Sequence, residues 1–338
     1  MIDFVKILNP GLSTTIQDRG RTGHQIEGFP ESGAMDRFSF RLANMLVNNP
    51  LSTAGLEFVL AGPTMKFSCD TFIAITGGKL KATLNNKPIE QNRAVQVSAG
   101  SILNVGQMTE GNYGYIAFAN GGVTTRPVLD SCSTTLRTGM GGIDGTALQH
   151  GDNVPIIESV VMPSLNARKI SLQPEQIQDV HFVEGPHWNM FSEAAHKQFS
   201  NQEYEISEQM DRMGYRLSGE PLETPEKSLL SEGTVFGNIQ ITRDGSPIVL
   251  MADRQTTGGY PVIGTVIAAD LVDLIQTRPG VKFRFVKVGL DEAMDKLVAK
   301  RKILNDTFIK FYENRYDEPI GPIRRKSVRI EKLIKQSK

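Results

Sequence analysis

The chain has 338 residues, 39% hydrophobic and 22% charged, enough to build more than one well-packed domain. Lys plus Arg and Asp plus Glu both number 37, and this zero net charge argues against a nucleic-acid or membrane surface covering the molecule. Two cysteines, Cys69 and Cys132, are too few for a disulfide framework, and no leader or apolar run of membrane-spanning length is visible, so the composition predicts a cytoplasmic globular protein.

In chain order, short β-branched and aromatic runs bounded by Gly, Pro, Asn or Asp dominate: IDFVKIL (2–8), TFIAIT (71–76), AVQVSAG (94–100), YGYIAFAN (113–120), VHFVEG (180–185), SPIVLMAD (246–253) and VKFRFVKV (281–288). That spacing predicts barrels or sandwiches rather than alternating βαβ units. Asn85-Asn86 and Asp244-Gly245 read as hairpin turns, the second as type I′. Helices are few. Residues 36–47 carry Phe38, Leu42, Met45 and Leu46 at helical spacing and stop at Asn48-Asn49-Pro50. Residues 188–198 are a second candidate, 264–276 an apolar helix or turn, and 290–312 the clearest helix. A change of composition with two prolines over 160–178 sets the expected organisation. It comprises an N-terminal β module (1–168), a second β module (169–289), and a C-terminal helix with a basic tail (290–338). From Arg324 to Lys338 the tail holds seven basic residues and one acid, which suits a solvated arm or an anion-binding or partner-binding one.

Residues 35–44 (MDRFSFRLAN) echo residues 210–219 (MDRMGYRLSG). The first copy has helical period, whereas the second alternates Met213, Tyr215 and Leu217, carries Gly214 and Gly219, and reads as a strand presenting Asp211 and Arg212. The echo is therefore poor support for a duplication.

Common catalytic signatures are missing. There is no phosphate loop, no nucleophile elbow, no metal-ligand spacing among the histidines, and no context for biotin attachment at Met65-Lys66. Two stretches concentrate polar chemistry instead. GLSTTIQDRGRTGHQIEGFPESGAMD (11–36) packs arginines, Asp, Gln, Thr and five glycines into a segment with little apolar content. It reads as a site-forming loop or a long surface loop, in which Arg19 or Arg21 can clamp an anion. In LMADRQTTGGYP (250–261) an apolar strand delivers Asp253, Arg254, Gln255, Thr256 and Thr257 into a Gly258-Gly259 turn before Tyr260. The plain alternatives are a salt bridge for Asp253–Arg254 and an ion pair for Asp211–Arg212.

Taken in order, PGLSTTIQDRGRTG, GFPESGAMDRFSFRLANMLVNNP, DRMGYRLSG and IVLMADRQTTGGYPVIGTV…QTRPG resemble the biotin-dependent carboxyltransferase-like family over roughly residues 3–288. This family is also called allophanate hydrolase subunit 2, and includes the Kip antagonist and the C subunit of 5-oxoprolinase. The resemblance implies a mainly β fold of two cyclophilin-like β-barrel modules with a few short helices and a C-terminal helix. It implies one component of an ATP-dependent amide (lactam) hydrolase that opens 5-oxo-L-proline to L-glutamate. Its partners would be the A subunit of 5-oxoprolinase and the Kip-inhibitor-like B subunit. Two alternatives are a regulatory protein antagonising a kinase inhibitor and the carboxyltransferase component of a biotin-dependent urea carboxylase. ATP is then used in the complex, no biotin is attached to this chain, and a homo-oligomer is compatible. On these motifs Arg212, Arg254 and Arg21 are expected to bind anions, and Gln255 with Gln240 to read the lactam. Asp211 or Asp253 would orient or act as base, while Gln17, Thr256, Thr257, Gly258, Gly259 and Tyr260 would complete the substrate contacts. VLDSCST (128–134) departs from the expected VLGSRST, placing Asp130 and Cys132 where a Gly and an Arg are expected.

Overall fold

The alternation of apolar and polar residues folds as antiparallel strands, seen in a computed structural model that describes residues 3–158, 163–171, 177–225 and 229–313. The first half holds β1 (Phe4–Asn9), β2 (Ser13–Gln17), α1 (Arg37–Leu46), β3 (Gly55–Val59), β4 (Thr64–Phe67), β5 (Thr71–Leu80), β6 (Ala82–Leu84), β7 (Lys87–Ile89), β8 (Ala94–Val97), β9 (Ile102–Asn104), β10 (Met108–Phe118) and β11 (Asn153–Pro155). Its strands form two sheets, β11-β1-β4-β9-β6-β7 and β2-β3-β10-β5-β8. The second half holds β12 (Asp179–Glu184), α2 (Glu193–Asn201), β13 (Tyr204–Met210), β14 (Gly214–Ser218), β15 (Glu232–Gly233), β16 (Asn238–Ile241), β17 (Pro247–Leu250), β18 (Thr257–Gly258), β19 (Val262–Val266), α3 (Ala268–Gln276), β20 (Lys282–Lys287) and α4 (Leu290–Glu313). Seven of its strands close a barrel in the order β12-β19-β16-β17-β14-β13-β20, sealed by the parallel pair β12–β20, and β15 with β18 makes a separate short ribbon. No helix among the described residues is long and apolar enough to cross a membrane.

Two cores result. One fills the space between the two sheets with Val5, Ile7, Ile16, Leu56, Phe58, Phe67, Ile73 and Phe118. The other is continuous across both halves, running from Phe40, Leu42 and Leu46 of α1 and Tyr113 and Tyr115 of β10 to Phe182, Phe199, Tyr204 and Phe285 of the barrel. Helix α1 starts because buried Asp36 accepts from the N–H groups of Phe38 (3.1 Å) and Ser39 (2.9 Å), and it stops where Asn48 turns left-handed ahead of Pro50. Burial raises the Asp36 pKa, against the hydrogen bonds from Ser39 and Gln276.

Polar contacts fasten the two halves. The Gln276 carboxamide at the end of α3 accepts from the backbone N–H groups of Asn112 (2.9 Å) and Tyr113 (3.1 Å), and donates to Tyr113 O (3.0 Å) and Asp36 Oδ2 (2.9 Å). Gly111, at φ 81°, lets it approach, since a Cβ there would stand 2.8 Å from Gln276 Oε1. Asn112 Nδ2 returns bonds to the carbonyls of Ile275 (3.0 Å) and Thr277 (2.7 Å).

Several expectations shift. The Asp244-Gly245 hairpin is not type I′. Only Gly245 has positive φ, Gly245 N–H bonds Thr242 O, and the turn is a type I turn followed by a left-handed glycine. Asp244 is instead tied by hydrogen bonds to Thr242 and Ser246. The candidate helix at 188–198 splits into a 3₁₀ turn (Trp188–Met190) and α2, capped by Ser192. Residues 264–266 complete β19 before α3 begins. Segment 11–36 is not all loop, because Ser13–Gln17 forms β2. The echoing segments do differ in form: helix α1 in one, a turn at 211–213 followed by β14 in the other. The tail and part of the 160–178 stretch lie outside the described residues.

Replacing Gln276 with Ala strips four hydrogen bonds from the junction and leaves backbone groups of β10 without partners. We expect a loss of about 1–3 kcal/mol in urea unfolding; an unchanged midpoint would show that the junction rests on apolar packing alone.

Candidate active site

The fold gathers charge around Arg212. Its backbone lies in the turn between β13 and β14, where Asp211 Oδ1 accepts from the N–H groups of Met213 (2.7 Å) and Gly214 (3.0 Å). That turn leaves Asp211 exposed and sends Arg212 inward. Arg212 Nε donates to Asp253 Oδ2 (2.8 Å), Nη2 to Asp253 Oδ1 (2.9 Å) and Gly33 O (2.7 Å), and Nη1 to Glu57 Oε1. Asp253 comes from the turn that follows β17 and Glu57 from the middle of β3, so one guanidinium joins the two halves. Burial alone would lower the Arg212 pKa, but Asp253 and Glu57 outweigh it and hold the group well above its ordinary value. Burial raises the Glu57 pKa, opposed by Arg212, by the Met35 N–H (2.7 Å) and by the Tyr115 hydroxyl (2.9 Å).

Hydrogen bonds extend from this pair in both directions. Tyr115 Oη accepts from Asp36 N–H (2.7 Å), which links Glu57 to the α1 cap and Gln276. On the other side Ser32, buried at φ 58°, donates its hydroxyl to Asp253 Oδ1, and Thr135 Oγ1 donates to Ser32 Oγ (3.1 Å). Arg21 then closes the chain through Thr135 Oγ1 (2.8 Å), Val128 O (3.1 Å) and Ser133 O. Arg21 is 1% exposed, and its three contacts make it a staple for the 128–135 loop rather than an anion clamp. Gln17 belongs to the same support, donating to Thr134 O (3.0 Å) and Thr15 Oγ1 (3.0 Å). Asp130 occupies the left-handed region at φ 59°, where the expected glycine would sit without strain, and Cys132 gives its N–H to Asp18 Oδ2 (2.6 Å).

Arg254 differs from both. It is 5% exposed, and Nη2 meets Glu31 Oε2 at 3.2 Å, but Nε and Nη1 are buried with no partner among the described residues. Glu31 is shared with Arg37 (2.8 Å), whose own Nε is also unpartnered and whose guanidinium lies 5.1 Å over the Phe236 ring. Burial lowers the Arg254 pKa, with Glu31 opposing and Arg37 adding to it. Next in the chain, Gln255 Nε2 reaches Gln240 Oε1 (3.4 Å), and Gln240 Nε2 is a further buried donor without an acceptor. Gly258 leaves room for that carboxamide, since a Cβ there would lie 2.5 Å from Gln240 Nε2. Thr256 O accepts from Thr234 N–H (3.0 Å), while Thr257 is exposed on the β15–β18 ribbon and Gly259 and Tyr260 are exposed just after it.

Of the expected site residues, then, Arg254 meets Glu31, Gln255 reaches Gln240, and Arg212 with Asp253 forms the centre of the charge network. Arg21 and Gln17 support it, and Asp211 faces away. Glu31, Ser32, Arg37, Glu57 and Tyr115 were not singled out by the sequence. Glu57 did carry a signal: a lone carboxylate in the apolar strand GLEFV is buried and needs a cation.

Arg212→Met leaves Glu57 and Asp253 as buried carboxylates without their cation, and we expect a loss of about 3–5 kcal/mol near neutral pH. The sign of its pH dependence follows from Glu57, whose folded pKa is already raised and loses its opposing cation. Folded protein then binds protons that unfolded protein does not, so the deficit shrinks as pH falls from about 7 to about 5. Urea melts across that range check it; a deficit independent of pH would place the cost in lost packing.

The sequence profile of the "Carboxyltransferase domain, subdomain A and B" matches residues 27–287. The chain is 36% identical over 298 residues to the 5-oxoprolinase C subunit of Escherichia coli (strain K12), covering 86% of this chain and 93% of that one. It is also 36% identical to the 5-oxoprolinase C subunit of Haemophilus influenzae over 305 residues, covering 90% and 97%. Among solved structures it superposes on Kluyveromyces lactis urea carboxylase with a TM-score of 0.80 at 30% identity, over 90% of this chain and 29% of the larger one. The shared fold and the length of these matches make this chain a member of the carboxyltransferase-domain family, subdomains A and B.

Proposed function

We propose that this chain is the C subunit of an ATP-dependent 5-oxoprolinase and that Arg254 binds an anionic oxygen of its substrate. The observation that carries the reading is the set of buried donors lacking acceptors: Arg254 Nε and Nη1, Gln240 Nε2 and Arg37 Nε. Two free donors on one buried guanidinium call for a partner rich in acceptors, as the carboxylate and lactam carbonyl of 5-oxoproline or a phosphate are. End-to-end similarity to two 5-oxoprolinase C subunits supports the same reading.

A lactam resists water because its nitrogen donates into the carbonyl. In this reading ATP, a substrate of the complex, transfers its terminal phosphoryl group to the lactam oxygen. Water adds at that carbon, the C–N bond opens to a free amine, and a second water releases phosphate to leave glutamate. Arg254 would hold an anionic oxygen by charge-assisted bonds, and Gln255 with Gln240 would donate to and accept from the lactam amide. Arg212 would act at one remove, as the residue that fixes Asp253 beside Arg254. Asp253 faces Arg212 and Ser32, so it serves as an orienting carboxylate. The A and B subunits of 5-oxoprolinase are the partners this activity needs, and the cytoplasm is the expected compartment.

Mixed with those A and B subunits, the chain should convert 5-oxoproline and ATP to glutamate, and a properly assembled complex without turnover sinks the reading. Arg254→Ala should lower kcat/KM by about 10²-fold while the complex still assembles, with partial recovery in Arg254→Lys. Unchanged kinetics would return Arg254 to a structural role.

A further inference from the structure

Strand β12 ends at Glu184, and Gly185-Pro186 carries the chain away from its neighbour β19. His187 then fills the place of a strand residue. Its backbone N–H goes to Val262 O (3.2 Å), and its ring Nδ1 accepts the Val262 N–H (3.0 Å). A backbone N–H can only donate, so Nδ1 carries no proton and the one N–H of the ring is on Nε2. The contact is buried, and a ring lacking that nitrogen would leave the Val262 N–H unpaired.

Val262 matters because of what stands across from it. It is the register partner of Gln240 on β16, and the ladder slips there. Ile239 pairs with Gly264 but Gln240 with Val262, which leaves Ile263 as an extra residue on β19. A bulge of this kind interrupts the pairing that otherwise holds the backbone, and it re-aims the side chains beside it. Gln240 is one of those side chains, 2% exposed, with Nε2 unpartnered among the described residues. The ring reaches toward Gln240 by a second route. His187 Nε2 lies 3.6 Å from Glu232 Oε2, and Glu232 is paired with Gly258, whose lack of a side chain makes room for the Gln240 carboxamide.

We propose that His187 is a positioning residue: its ring stands in for the missing strand neighbour of Val262 and so fixes where the Gln240 carboxamide points. Gln240 touches the lactam, and His187 acts through it without meeting the substrate. The inference rests on the reading of Gln240 as a lactam contact, while the geometry it invokes belongs to this chain alone.

Two substitutions at this position separate the hydrogen bond from packing. His187→Phe keeps an aromatic ring and loses the acceptor, whereas His187→Asn loses the ring and keeps an acceptor, Oδ1, where Nδ1 stood. In the complex with the A and B subunits, His187→Phe should raise KM for 5-oxoproline about tenfold with kcat changed less than about twofold, as loss of a contact made equally in ground and transition states does. His187→Asn should bring KM back to within about threefold of the unaltered chain. NMR of the full chain alone gives a readout that needs no turnover. The Gln240 side-chain amide resonances, identified by their loss in Gln240→Ala, should shift in His187→Phe and return in His187→Asn. Where His187→Phe fails to fold, His187→Gln, with its acceptor one bond farther out, is measured in its place. Unmoved Gln240 resonances overturn the proposal, as does an Asn variant no better than the Phe one, or a loss confined to kcat. An unaltered complex that leaves 5-oxoproline intact sinks the functional reading instead, and the resonances then decide the positioning role by themselves.

Discussion

A single buried guanidinium holds two carboxylates supplied by opposite halves of the chain, and the rest of the arrangement depends on it. Glu57 stands in the middle of β3, and its removal from water is tolerable only because Arg212, Tyr115 and the Met35 N–H all donate to it. Asp253 stands in the turn that follows β17 and is fixed by the same arginine through two parallel bonds. Position at this junction therefore passes from strand to strand through charge-assisted contacts of defined direction. Apolar packing across the shared core supplies cohesion without that direction.

The three buried arginines illustrate how partner count separates structure from chemistry. Arg21 is consumed by two carbonyls and a hydroxyl, and Arg212 by two carboxylates and a carbonyl. Arg254 shares one carboxylate with Arg37 and keeps two donors in reserve. Identical side chains at similar depth thus do different work. What distinguishes them is the balance of donors and acceptors around each, a quantity that no inspection of residue types can supply.

The same distinction explains what could be read in advance. Strands, the α1 helix and the long C-terminal helix follow from periodicity and from stop signals such as Asn48-Asn49-Pro50, which act locally. The cluster at 253–258 was legible because one short stretch carries it. Glu57 and Ser32 were not, since their partners lie 155 and 221 residues away and only the closed fold reveals them. The motifs suggest Arg21 as an anion contact and Asp211 as an orienting or base carboxylate, yet local geometry directs one to a loop and the other to its own turn. The Asp244 turn went astray for a related reason: a side-chain tie to Thr242 and Ser246 competes with the turn type that the dipeptide favours.

The shared guanidinium also constrains how this molecule can drift in evolution. Arg212, Glu57 and Asp253 form a unit of one cation and two carboxylates, in which replacing Arg212 strands both carboxylates while replacing either carboxylate still leaves an ion pair. A first step that removes Arg212 is therefore closed, and its loss has to accompany or follow replacement of both carboxylates by neutral side chains of matching volume. Neighbouring loops such as 128–134, where Asp130 and Cys132 already depart from the expected residues, are free to vary around that fixed point. Divergence within this lineage should accumulate in the loops around the junction, while Arg212 is the last of the three charged residues to change.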